Sequence, residues 1–148
     1  MNLTNFLAKL QALQNSIAIT SPVVMQVKRS YWGKPSEAIS DLPCIINALA
    51  EPDRTLGFGS RDQKVRINVQ LLAARAMPEN AQSGLIATAF WYAAKDKFDK
   101  DTKITETVAW STLRGADPTV PVILECAGQA FIGFNAVLDI KDYESFTF

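Results

Sequence analysis

The chain has 148 residues, 48% hydrophobic and 20% charged, a composition that fits one globular domain able to bury a core without disulfide or metal staples. Fifteen basic residues balance fifteen acidic ones, so no overall basic excess points to a nucleic-acid grip. Histidine is absent, which removes the commonest general base and the commonest metal ligand.

Leu3, Phe6, Leu10, Leu13 and Ile17 recur at three- and four-residue steps, with Lys9, Gln11, Gln14 and Asn15 between them. The spacing predicts an amphipathic helix, with Asn2 or Thr4 as its cap and a break at Pro22. The same stretch lacks the continuous apolar core of a signal peptide. No apolar run reaches membrane-spanning length, so a soluble protein made in a cytoplasm is expected.

Residues 23–32 are β-branched and aromatic and predict a strand ending near Gly33 and Pro35. A polar connection over 35–41 leads to a short apolar run at 42–49, read as a buried strand with Pro43 confined to its start. Residues 50–63 carry Pro52, Gly57, Gly59 and mixed charges, and read as a long loop. Over 64–74, Val65, Ile67, Val69, Leu71 and Ala73 alternate with Lys64, Arg66, Asn68, Gln70 and Leu72. That period predicts a half-buried strand with one wet face, at least over its first half, which favours antiparallel pairing.

After Pro78, with Asn80 or Ser83 as cap, Leu85, Ile86, Ala89, Phe90, Ala93, Ala94 and Phe98 form the apolar stripe of a second helix, flanked by Trp91 and Tyr92. It ends in charged residues 95–103. Three strands are predicted over 105–113, 120–127 and 129–140, the last two joined as a hairpin around Gly128. Residues 142–148 read as a flexible polar-aromatic tail. The order α-β-β-β-α-β-β-β predicts one α+β domain: a single mixed, mostly antiparallel sheet with two helices packed on one face.

No constellation nominates a reaction. Cys44 and Cys126 lack CxxC spacing and read as reduced buried thiols, with a bridge between two strands left open. Gly57, Phe58 and Gly59 lack phosphate-loop spacing. Asp96, Asp99 and Asp101 interleave with lysines, without the central glycine and closing glutamate of a calcium loop. Ser36, Ser60 and Ser111 have no histidine partner. Glu106 and Glu125 read as residues of a wet sheet face that face each other across strands. Lys28, Arg29, Tyr31 and Trp32 put cations beside rings, a combination that can stack on single-stranded bases. Neither a catalytic group, a cofactor site nor a metal site is expected.

Several short motifs carry a resemblance. A helix leads into Val24-x-x-Val27-Lys28-Arg29-x-Tyr31, then Asp41-Leu42-Pro43-Cys44, then the alternating strand and a long helix. The last strand begins Phe131-Ile132-Gly133-Phe134. In this pattern, over roughly residues 3 to 142, the chain resembles the tail-terminator (tail-completion) proteins of long-tailed bacteriophages. The resemblance implies a structural virion protein assembled in the host cytoplasm. It would form a homo-hexameric ring that caps the tail tube at its head-proximal end and joins tail to neck. Expected partners are further copies of itself, the tail tube protein and a neck or connector protein. DNA would pass through the lumen without specific binding, and no membrane would be involved. Phe58, Arg61, Asp62, Trp32, Tyr143, Phe146 and Phe148 are the expected interface residues, because aromatics and arginine dominate contact energetics. Another neck or tail component, or a small-molecule or nucleic-acid binding module, stays open as an alternative.

Overall fold

The structure is a computed structural model that describes residues 3–35, 37–49, 63–76, 82–100, 108–115 and 121–142. In chain order the elements are α1 (Leu3–Asn15), β1 (Ala18–Ile19), β2 (Met25–Gln26), β3 (Arg29–Trp32), β4 (Cys44–Leu49), β5 (Gln63–Arg75), α2 (Ser83–Lys100), β6 (Val108–Gly115), β7 (Val122–Cys126) and β8 (Gln129–Asp142). The class is α+β, with a mixed sheet and two helices. The main sheet runs β3-β4-β5-β8, with β6 and β7 both pairing with β8. Among the described residues, only the β3–β4 pair is parallel in this sheet.

The single strand expected over 23–32 is two short strands, and a further strand precedes them. β1 and β2 form their own antiparallel hairpin. The division falls where the backbone changes partner: Val27 N–H donates to the Ile17 carbonyl at 3.0 Å, whereas Lys28 N–H donates to the Pro43 carbonyl at 2.9 Å. The chain thus leaves the hairpin and joins the main sheet within one residue. β8 runs to Asp142, which pairs with Gln63 and Val108, so the strand takes in the first residue of the expected tail. Gln63, expected in the long loop, opens β5.

Strand alternation divides the core in two. On one face Ile45, Ile67, Leu71, Phe134 and Leu138 pack with Phe6 and Leu10 of α1 and with Phe90, Ala94 and Phe98 of α2. Trp91 and Phe134 meet edge to face, with ring centroids 5.3 Å apart. Leu85, expected in the α2 stripe, instead points outward, and Ala87 takes the buried position. At about 100° per residue Leu85 falls well off the direction shared by Phe90, Ala94 and Phe98. On the other face a smaller cluster of Cys44, Ile46, Leu72, Leu124, Cys126 and Phe131 is roofed by Ile39 and Leu42.

α1 is fastened by polar contacts as well as apolar ones. Gln14 sits four residues after Leu10 and so shares its buried face. It was expected among the polar residues but is fully buried, as is Asn47. The two amides exchange a reciprocal pair of hydrogen bonds: Gln14 Nε2 donates to Asn47 Oδ1 at 2.7 Å, and Asn47 Nδ2 donates to Gln14 Oε1 at 2.8 Å. Ser30 Oγ also donates to Asn15 Oδ1 at 2.8 Å. The helix then tightens to a stop, with Ser16 N–H donating to Leu13 O and Ile17 N–H to Gln14 O.

The β7–β8 hairpin turns through Ala127 (φ 51°) and Gly128 (φ 75°), the paired positive φ values of a two-residue turn. A different constraint governs Gly133. It pairs with Leu72 beside the bulge between Leu72 and Ala74. A Cβ at Gly133 would lie 1.6 Å from the Leu71 carbonyl oxygen.

Two outcomes follow for stability, each measured by denaturant unfolding. Gly133→Ala costs at least about 3 kcal/mol, the upper end of overpacking, because the obstacle is backbone. Gln14→Leu and Asn47→Leu each cost about 1–3 kcal/mol by stranding the other amide, and the double variant loses clearly less than their sum. Additive costs would show that the amides do not act as a pair.

Candidate functional site

Beyond the roof of the smaller cluster, the helix-free face of β5, β8 and β6 is open and mostly polar among the described residues, with Val137 half-buried between Asn68 and Arg114. Arg66, Asn68 and Arg114 are exposed, and Gln70, Asn135 and Asp139 are half-buried. Asp139 lies on the middle strand between two arginines. Arg66 Nε donates to Asp139 Oδ1 at 3.0 Å, and Arg114 Nε donates to Asp139 Oδ2 at 2.5 Å. Each carboxylate oxygen therefore serves a different guanidinium. Partial burial pushes the Asp139 pKa up, but the hydrogen bonds and charges of Arg114 and Arg66 outweigh it and hold the group below the ordinary value of 3.8.

Apolar side chains are exposed at both ends of the strand order. At one end is Trp32 on β3, 41% exposed, with Leu49 at the close of β4. At the other is Ile123 on β7, 70% exposed. The start of α2 adjoins β7: a Cβ on Gly84 would lie 3.7 Å from Pro121 Cγ. The outward crest of α2 adds Leu85 and Tyr92, seven residues apart and 63% and 68% exposed. Ile123 is legible as an aliphatic at the polar phase of its strand. Leu85 and Tyr92 are legible from helical phase.

Trp32 is the one expected interface residue within the described residues, and the structure leaves it accessible. Phe58, Arg61, Asp62, Tyr143, Phe146 and Phe148 lie outside them. Tyr31 does not join Trp32 in a stacking platform. It packs against the smaller cluster, and the Arg29 guanidinium sits 4.7 Å over its ring. Arg29 also lies 3.7 Å from Asp41.

The other candidates have ordinary surroundings. Asp96 and Asp99 pair with Lys100 and Lys95 at 2.9 Å on the solvated end of α2. Cys44 and Cys126 are free and buried. Burial, then the nearby Cys126 and Asp41, pushes the Cys44 thiol up to about 12, which leaves it a poor nucleophile. Ser111 is buried in β6. Glu125 is paired across the hairpin with Ala130, and Glu106 lies outside the described residues. Ser36, Ser60, Asp101 and the 57–59 segment also lie outside them. An open cleft of about 460 Å³ is lined by Val24, Met25, Gln26, Val27, Lys28 and Pro43. Lys28 is its only charged side chain, so it offers no convergent polar set. Among the described residues no cluster of metal-ligating side chains occurs, and no helix is long and apolar enough to cross a membrane.

The chain matches no protein-family model, and a search of curated proteins gives no significant match.

The depressed pKa of Asp139 sets a pH dependence. Its folded value lies below the unfolded one, so the stabilisation is complete above about pH 4 and is lost as pH falls through the folded value. The melting-temperature gap between wild type and Asp139→Asn should be widest near neutral pH and close under strong acid. A gap that persists unchanged at pH 2 would assign the effect to packing instead.

Proposed function

We propose that the chain is a structural virion subunit of the tail-terminator type. It forms a closed head-to-tail ring, hexameric in the reading adopted here, on the head-proximal end of a phage tail tube. The ring ends tube polymerisation, presents a surface to the neck and lets DNA pass through its lumen. The reading involves no catalysis.

The observation that carries the proposal is a pair of unlike apolar surfaces at opposite ends of one open sheet. A closed ring of identical subunits needs two different, complementary patches, because each contact joins one side of a subunit to the other side of the next. Trp32 and Leu49 are exposed on the β3–β4 side, and Ile123 is exposed on β7, with Leu85 and Tyr92 exposed on α2. Exposed aromatic side chains such as Trp32 and Tyr92 are among the usual centres of contact energy. The sequence motifs point the same way. Asp41-Leu42-Pro43 leads into the buried start of β4, and Gly133 occupies a position where β5 and β8 admit no side chain.

The test is the mass of the purified protein by light scattering, alone and with tail tube protein. A species of about six subunits is expected in one of the two samples. Ile123→Lys and Trp32→Ala should each abolish it, and Ile123→Lys should do so without lowering the melting temperature, since that side chain is 70% exposed. A chain that stays monomeric with every tube protein offered would overturn the proposal.

A further inference from the structure

We infer that the cleft beside β2 is one half of a self-contact, and that the outward face of β7 from a second copy, carrying Ile123 and Glu125, is the half that enters it. Closure of such contacts into a ring rests on the tail-terminator reading. The contact itself rests on exposure, strand phase and charge.

The cleft lies where the chain enters the main sheet. Lys28 N–H donates to the Pro43 carbonyl there, which brings the residues leading into β3 and β4 together. Val24, Met25, Val27 and Pro43 give the cleft its apolar walls, and Lys28 is its single cation. Val24 is 84% exposed, more than any other large hydrophobic among the described residues. Lys28 is exposed and has no ion pair among the described residues. An apolar cleft with one unpaired cation suits an apolar side chain that has an acid beside it.

β7 presents that combination. Leu124 and Cys126 point into the smaller cluster, so strand alternation turns Ile123 and Glu125 the other way, two residues apart on one face. Both are exposed. Lys34 Nζ donates to the Glu125 backbone carbonyl at 3.4 Å, and the carboxylate has no ion pair among the described residues. The other exposed apolar groups fit less well. Tyr92 has an acid one helical turn on, Asp96, but Lys100 already holds it at 2.9 Å. Leu85 has no acid within a turn on either side. Trp32 and Leu49 lie on the cleft's own side of the sheet. The cleft borders the entry to β3 at one end of the strand order, and β7 lies at the other, so one subunit can use both halves at once. Contacts between unlike surfaces propagate head to tail. The Lys28–Glu125 pair sets their register more than their strength.

The test is a charge swap read by light scattering at low ionic strength, alone and with tail tube protein. Lys28→Glu and Glu125→Lys should each weaken assembly about tenfold or more, because like charges then meet across the contact. An equal mixture of the two variants should assemble again, since opposite charges meet at every contact of an alternating order. Val24→Cys combined with Ile123→Cys should give a ladder of cross-linked chains on mild oxidation, whereas the buried cysteines of wild type give none. All these positions are exposed, so the variants should melt like wild type. A mixture that assembles no better than its components would overturn the inference, as would a double cysteine variant that stays uncross-linked. Loss of tube binding by Lys28→Glu with ring formation intact would overturn it too, and would assign the cleft to the tube protein. A ring that neither charge reversal weakens would sink this contact alone. Cross-linked chains of no fixed length would sink the ring alone.

Discussion

The pairing of β5 with β8 is the constraint on which the rest of the molecule depends. These two strands run antiparallel from Gln63 opposite Asp142 to Arg75 opposite Phe131. Every other strand of the main sheet joins one of them, or joins β4, which β5 holds. Near one end of the ladder, the Leu71 carbonyl approaches Gly133 so closely that no Cβ fits, and the ladder shifts register just beyond. A bulge of this kind bends the strand and increases its twist. Here it marks the point where the sheet changes character. To one side the helix-free face is roofed by Ile39 and Leu42 over the Cys44 and Phe131 cluster, and to the other it is open and mostly polar among the described residues.

The helical face is held in two ways. α2 lies on the sheet through rings and alanines, an apolar contact that tolerates small adjustments. α1 carries an additional directional constraint. Gln14 and Asn47 bury both amides and leave neither donor nor acceptor free to turn elsewhere without loss. Asn47 Nδ2 also reaches the Tyr31 carbonyl at 3.3 Å, which ties the helix, β4 and β3 into one unit. This unit supports Trp32. An exposed aromatic on a short end strand makes a useful contact only if its backbone is fixed.

Some of this was legible in the sequence for physical reasons, and some was not. The alternation gave the buried phase of β5 from Ile67 to Ala73, because a strand of that length must present one side to the core. The hairpin around Gly128 was legible from its glycine. The break at Val27 was not, because it arises from a change of hydrogen-bond partner between Ile17 and Pro43, far apart in sequence. Gln14 was misplaced because residue type was weighed above helical phase. The Arg66–Asp139–Arg114 group was invisible for a similar reason to Val27: three strands contribute one residue each, and the register that unites them is a tertiary property. The exposure of Ile123 and Tyr92 could have been found from phase alone.

The Arg66–Asp139–Arg114 group shows why net charge is a poor guide to the local charge on a sheet face. A sum over the chain treats charges as if they were spread evenly, whereas strand pairing sorts them by parity and by neighbour. Acidic residues such as Asp96 and Asp99 lie on the solvated end of α2 and are locally balanced by Lys100 and Lys95. On the helix-free face the balance is incomplete, with one carboxylate shared between two arginines. A neutral chain can therefore carry, among its described residues, local groups whose charges do not cancel, and strand register alone decides which residues share one.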